Sequence, residues 1–491
     1  MGKITNYISK RFPMGILAKH VATLMTGTAL AAAIGVVVMP VLTRIYGPAD
    51  FGIFALYTSI VGALTVVTCW RYELAIVLPE KDEDAANLLM LCVIICLGMG
   101  LLSLILVSHI RTCVANLLSS PRLAFWLWFL PLSVIATGLF RALNYWSTRR
   151  KHFKRLAARQ ITQSSVTAFT QIGTGLLYPS FNAGGLIGGS IIGHLMATGR
   201  LAWQIKSDEG TFIRNSIGRP NLFRVFRRYK NFPLFDIWSA LFNTASAMLP
   251  ALILGFFFKP DIVGFYALGY QILSAPMTIL GASIGQVFFP QANDAKKNRT
   301  LDKLTLMIFE RLLSIGLVPI LLLTVVAPDL FALIFGGRWI TAGAYVRCLS
   351  IWLLFVFISS PLSTLYLIME KQKEGLIVNM VMFLSRFVVL IIGGLKGDAY
   401  FTIAIYGITG AILWIFNCIY IQHLAGVQLN SVFAVLMKQF LYGAPYALLP
   451  IFTYFLTQNS SAFVFAGVGA GIIFLIVEFC KMRKPFKLNK I

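Results

Sequence analysis

Acidic charge is scarce in this 491-residue sequence, with 18 Asp and Glu against 42 Lys and Arg, and there are only five histidines. No G-x-x-x-x-G-K-S/T run occurs, so nothing here hydrolyses ATP through a Walker loop, and no H-E-x-x-H run offers a zinc site. Charged residues make up 12% of the chain, hydrophobic residues 58%, and mean hydropathy is +0.79, which excludes a water-soluble globular domain for most of its length. Of the seven cysteines, Cys69, Cys92, Cys96, Cys418 and Cys480 fall in or at apolar runs, leaving Cys113 and Cys348 toward the outside. A disulfide framework is not expected. Cys92 and Cys96 share a helix face but have no His or acidic neighbours, so they read as packing residues rather than metal ligands. No metal or cofactor is implied, and outer loops too short for a catalytic cluster argue against an enzyme.

Long apolar runs take the place of these missing features. About fourteen of spanning length are found, the first beginning near Val21 and the last near Ser461. Lys and Arg accumulate in short loops that stay in the cytoplasm. With fourteen spans, 32 of the 42 basic residues fall on the side that holds both termini, seven on the other, and Arg141, Arg311 and Arg386 inside spans. Both termini are therefore expected in the cytoplasm. The net charge of +24 is explained by this topology and by anionic lipid headgroups, so no nucleic-acid partner is implied. The first run is long enough to span and follows Lys3, Lys10, Arg11 and Lys19, so it is expected to stay rather than be cleaved.

The run Pro48-Ala49-Asp50-Phe51-Gly52-Ile53-Phe54-Ala55-Leu56-Tyr57 returns 212 positions later as Pro260-Asp261-Ile262-Val263-Gly264-Phe265-Tyr266-Ala267-Leu268-Gly269-Tyr270. Ile76-Val77-Leu78-Pro79 likewise recurs as Val287-Phe288-Phe289-Pro290. These echoes predict an all-α polytopic protein of two six-helix lobes related by a parallel pseudo-two-fold repeat, with two extra C-terminal helices and a substrate path between the lobes. The lobes are read as residues 1–210 and 235–425, joined by a basic inner linker at 211–234 and followed by the last two spans and a basic tail at 426–491. In the linker, Arg214, Arg219, Arg224, Arg227, Arg228 and Lys230 alternate with Phe212, Leu222, Phe223 and Phe226, a pattern for a helix on the inner leaflet or a solvated basic connector.

Several spans carry polar stripes at helical spacing. They are Ser133, Thr137, Arg141, Asn144 and Thr148 on the fourth span, Gln160, Gln163, Thr167, Gln171 and Thr174 on the fifth, and Asp236, Ser239, Asn243 and Ser246 on the seventh. Such faces either line a cavity or bond helix to helix. Gly185, Gly189 and Gly193 on the sixth span signal close helix packing, with His194 beside them. Arg386 is placed about ten residues into the eleventh span, roughly 15 Å along the axis and near the midplane, beyond the reach of snorkelling. Arg141 and Arg311 lie nearer the inner ends. A guanidinium inside a span suits a phosphate or carboxylate, because its planar fork stays protonated. The expected substrate-binding residues are Arg386, Arg141, Arg311, Asn379, Asn144, Gln163, Gln171 and Asn243, with Asp236, Glu310 and His194 as weaker candidates for ion coupling. Glu478, on the last span, is set aside.

The run Leu42-Thr43-Arg44-Ile45-Tyr46-Gly47-Pro48-Ala49-Asp50-Phe51-Gly52 resembles the polysaccharide transporters of the multidrug/oligosaccharidyl-lipid/polysaccharide superfamily, the Wzx-type flippases. Arg71-Tyr72-Glu73-Leu74-Ala75-Ile76, Phe335-Gly336-Gly337-Arg338-Trp339 and Glu370-Lys371-Gln372-Lys373 resemble loops of the same family. The resemblance implies two lobes around a cavity that opens alternately to each side of a bacterial inner membrane. Its cargo would be an undecaprenyl-diphosphate-linked oligosaccharide, such as an O-antigen, capsule or exopolysaccharide unit. Membrane lipids and the polymerase of the same pathway are the partners it suggests. The alternatives are a flippase for the peptidoglycan lipid precursor, a drug exporter of the related extrusion family, or a membrane enzyme that polymerises or ligates glycans. Cationic drugs would call for acidic residues deep in the spans, whereas the deepest charge here is positive.

Overall fold

The structure, a computed structural model, describes residues 16–276 and 282–483. The basic residues at Lys3, Lys10 and Arg11, the tail beyond Arg483, and the side chains of Lys19, Ser239 and Cys480 lie outside that description. Among the described residues all regular structure is helical and no strand is present. Eleven described helices are long and apolar enough to cross a membrane. Two further long helices, α5 and α6 below, are not among them, because polar side chains lower their hydropathy. The chain is a multi-pass all-α membrane protein, as its composition requires.

Two compact units divide between Gly264 and Phe265. The first holds α1 (Ile16–Ile45), α2 (Pro48–Thr65), α3 (Asp82–Leu117), α4 (Leu130–Arg149), α5 (Phe153–Leu177), α6 (Ala183–Ser216), α7 (Arg219–Arg228) and α8 (Ile237–Phe257), with the first residues of α9 (Pro260–Pro276). Its α1 packs on α5, α5 on α6, α3 on α4 and α2 on α8. The start of α2 follows from local chemistry. Pro48 occupies the first turn, where its missing N–H is no loss, and the Asp50 carboxylate accepts from the Gly47 N–H at 3.0 Å.

The glycines of α6 face α5. A Cβ on Gly185 would lie 2.0 Å from the Tyr46 hydroxyl, on Gly189 2.5 Å from Gln171 Cγ, and on Gly193 2.0 Å from Thr167 Oγ1. The stripe therefore packs two helices closely, as its spacing predicts. The basic segment forms a helix, α7, that docks on protein. Val225 is buried, Arg224 reaches Asp84 at 2.6 Å, and Phe226 accepts from the Tyr72 hydroxyl at 3.0 Å. Phe223 remains exposed.

The second unit contains the rest of α9, then α10 (Ala282–Lys297), α11 (Leu301–Phe335), α12 (Ile340–Leu362), α13 (Gln372–Lys396), α14 (Ala399–Leu424), α15 (Leu429–Thr457) and α16 (Ser460–Arg483). Here α11 packs on α12, α12 on α14 and α13 on α14, while the two last helices pair with each other and rest on α11. The spelling Gly281-Ala282-Ser283-Ile284-Gly285 fits a hydrolase G-x-S-x-G, but from Ala282 onward it is the first turn of α10. A nucleophile elbow needs a strand-to-helix turn. Large apolar side chains such as Leu376, Ile377, Met380, Leu384 and Phe387 stand exposed along α13. This is the face a lipid environment covers.

Candidate functional site

In the first unit the chain turns sharply after α2, with Trp70 and Arg71 both left-handed at φ 48° and 65°. The turn aims two side chains of the Arg71-Tyr72-Glu73 run inward. Glu73 is 1% exposed, with Arg141 Nη1 at 3.6 Å and Arg71 Nη1 at 3.7 Å from its Oε1. Arg71 also donates through Nε to Asp236 at 2.6 Å. The cluster therefore joins two of the expected residues, Arg141 and Asp236, through two whose roles sequence reasoning had left unassigned. Glu73 Oε2 is buried without a hydrogen-bond partner. Burial raises the Glu73 carboxyl above the usual range, and the two guanidinium groups pull it back. Beside this cluster, Arg149 and Arg150 share Asp82 at 2.8 and 2.7 Å, and Arg150 meets Glu209 at 2.9 Å.

The polar stripe of α5 is largely taken up by neighbouring helices. Gln160 accepts from Thr28 at 2.7 Å, Gln163 lies 2.9 Å from His194 Nε2, and buried Gln171 donates to the Leu186 carbonyl at 2.9 Å. One residue here was concealed in the sequence. Arg159 counts there among the basic residues of an inner loop, yet it is 5% exposed, stacked 3.3 Å over the Phe140 ring, with Nε and Nη2 unbonded. Asn144 is half-buried on α4, and Asn243 is exposed on α8.

In the second unit Arg386 stands about 21 Å from Gln372 and about 15 Å from Lys396 along α13, well inside the helix. Its guanidinium carbon is 5.3 Å from the Trp352 ring centroid. Trp352 belongs to an aromatic cluster from three helices: it lies 5.0 Å from Tyr406 and 6.3 Å from Tyr270, and Tyr266 lies 5.8 Å from Tyr270. A cation over such faces is held by the ring quadrupoles, an attraction that strengthens away from water. The sequence placed Arg386 at depth but did not reveal the aromatic cluster, whose members lie far apart along the chain. Asn379, two turns earlier on α13, is exposed.

Arg311 and Glu310 are both half-buried on α11. They line a cleft of about 410 Å³ with Lys438, Gln439, Tyr442 and Glu478, and Lys438 donates to Glu310 at 2.9 Å. Glu478, set aside on sequence grounds, is 5% exposed there.

Fold and buried charge together define a polytopic all-α membrane protein. The chain belongs to the family described as polysaccharide biosynthesis protein, whose model matches residues 41–344, more than half of the sequence. It is 20% identical over 349 residues to the teichuronic acid biosynthesis protein TuaB of Bacillus subtilis (strain 168), covering 70% of this chain and 69% of that one. Among solved structures it resembles the lipid II flippase MurJ in an inward closed conformation. The TM-score is 0.64 at 13% identity, over 95% of this chain and 100% of that one. An inward-facing multidrug resistance MATE transporter of the MOP superfamily is similar at a TM-score of 0.53 and 15% identity, over 82% and 95%. Likeness at such identities is likeness of fold.

Proposed function

We propose that this chain is a flippase that carries an undecaprenyl-diphosphate-linked oligosaccharide repeat unit from the cytoplasmic to the periplasmic leaflet of a bacterial inner membrane by alternating access. Family membership supports a role in polysaccharide biosynthesis, and the carrying observation is Arg386, deep within α13 over Trp352. A guanidinium at that depth offers a diphosphate a planar, bidentate partner. Tyr270, the exposed member of the aromatic cluster beside it, suits the apolar face of a sugar ring. Arg141 serves as a second anion contact, and Arg311, Asn379, Asn144, Gln163, Gln171 and Asn243 are further contacts in this reading. Asp236, Glu310 and His194 are the groups assigned to ion coupling. The lobes are residues 1–210 and 235–425, both termini lie in the cytoplasm, and the pathway's polymerase receives the product.

The test is deletion in the native host followed by lipid extraction. Accumulation of a single completed lipid-linked repeat unit, with loss of surface glycan, is the expected result. Longer chains stranded on lipid would point to ligation instead, and unchanged lipid and glycan would defeat the proposal. A second reading, transport of the peptidoglycan lipid precursor, is favoured by the fold shared with the lipid II flippase. In that case the deletion would accumulate the peptidoglycan precursor instead.

A further inference from the structure

The cleft of about 410 Å³ on the second unit is far larger than one ion or one water requires, and among the described residues its walls are charge-balanced. Two carboxylates, Glu310 and Glu478, and two cations, Arg311 and Lys438, line it together with the polar groups of Ser314, Gln439 and Tyr442. Glu310 and Arg311 sit about 14 Å along α11 from its start at Leu301, and Glu478 about 7 Å from the end of α16 at Arg483. Lys438 is 71% exposed at the mouth, whereas Glu478 is 5% exposed at the back.

This charge pattern selects among ligands. A ligand carrying only negative charge would approach two carboxylates, and one carrying only positive charge would approach Arg311 and Lys438. Like charges brought together in a half-buried site are disfavoured. A headgroup with phosphate and ammonium two carbons apart satisfies both pairs: the phosphate takes the planar fork of Arg311 and the Lys438 ammonium, and its own ammonium donates to the carboxylates. We propose that this cleft between α11, α15 and α16 is a binding site for the headgroup of phosphatidylethanolamine. The site does not include Arg386 or its aromatic cluster, and in it Arg311 and Glu310 serve the headgroup in place of the cargo and ion-coupling roles given to them above.

Native mass spectrometry of the full-length protein tests it. The detergent-purified protein is incubated with equal amounts of phosphatidylethanolamine, phosphatidylglycerol and phosphatidylcholine of identical chains. Retention of phosphatidylethanolamine roughly tenfold above both others is expected, since phosphatidylglycerol lacks the cation and the quaternary ammonium of phosphatidylcholine has no N–H to donate. Glu478→Gln keeps the shape of the side chain and should reduce that preference to near unity. Should Glu478→Gln fail to fold, Glu310→Gln, at the other carboxylate that meets the ammonium, gives the same reading. Equal retention of the three lipids, preference for phosphatidylglycerol, or a preference for phosphatidylethanolamine that survives in the folded variants would each overturn the proposal.

Discussion

Gly52 and Pro260 meet backbone to backbone, so that a Cβ on Gly52 would lie 1.8 Å from the Pro260 carbonyl oxygen. The reciprocal contact is also made: a Cβ on Gly264 would lie 1.9 Å from the Pro48 carbonyl oxygen. Pro48 and Gly52 correspond to Pro260 and Gly264 at the 212-residue offset of the first echo in the sequence. The repeat therefore packs against itself, each copy offering its glycine to the other's proline carbonyl. Because the opposing atoms are backbone, neither side can yield by changing a rotamer.

Gly52→Ala should lower stability by about 1–3 kcal/mol, the range for overpacking a close contact. Gly264→Ala should cost a similar amount. Since both substitutions part the same seam, the double variant should be less destabilised than the two losses combined. Thermal unfolding of the three variants in detergent measures this, and additive losses would contradict a shared seam.

Arg386→Ala should abolish transport while protein level and membrane insertion stay normal. Arg386→Lys should restore only part, because lysine keeps the charge but not the planar fork or the stacking over Trp352. Export assays beside quantitative blots decide the matter. Normal export by a well-expressed alanine variant would remove Arg386 from the diphosphate role.

Glu73 gives a pH signature. Its carboxyl is raised by burial, against the pull of Arg141 and Arg71, with Asp236, Tyr145 and Cys69 the other titratable groups nearby. A carboxyl raised in the folded state holds its proton more tightly than the unfolded chain does, so its contribution is fully present below the ordinary value of 4.5 and is lost as pH rises through the folded value. Relative to Glu73→Gln, which cannot titrate, the wild type should gain thermal stability as pH falls from neutral toward 4.5. An unchanged difference across that window would show that Glu73 is not held this way.

Asn87 clasps the junction of α6 and α7. It is fully buried, donating through Nδ2 to the Ser216 carbonyl at 2.8 Å and accepting through Oδ1 from the Gly218 N–H at 3.2 Å. Asn87→Ala would leave both backbone groups unpaired and should cost about 1–3 kcal/mol. Limited proteolysis should then cut between Ser216 and Gly218 faster than in the wild type, with other sites unaffected.

Helices, their apolar faces and their close-packing positions were legible locally. Gly185, Gly189 and Gly193 pack against α5 as their spacing implies, because i, i+4 periodicity needs no knowledge of the partner. The functional reading was legible only in part. Arg386 could be placed at depth by counting residues, but the aromatic cluster beside it joins Tyr270, Trp352 and Tyr406, which no sequence period connects. Arg159 looked like one more loop cation until its burial over Phe140 was seen. The polar stripe of α5 could have lined a cavity, yet Gln160, Gln163 and Gln171 each meet a group on an adjacent helix.

By itself the sequence determined an all-α membrane protein, because hydropathy and charge act over lengths of one helix and bilayer thickness sets that length. The tertiary structure alone decided which polar groups meet: Glu73 with Arg71 and Arg141, and Arg311 with Glu478 in one cleft rather than beside Arg386. Such pairings depend on the rotation of each helix about its axis. That rotation is set by packing against several neighbours at once, which no single segment encodes.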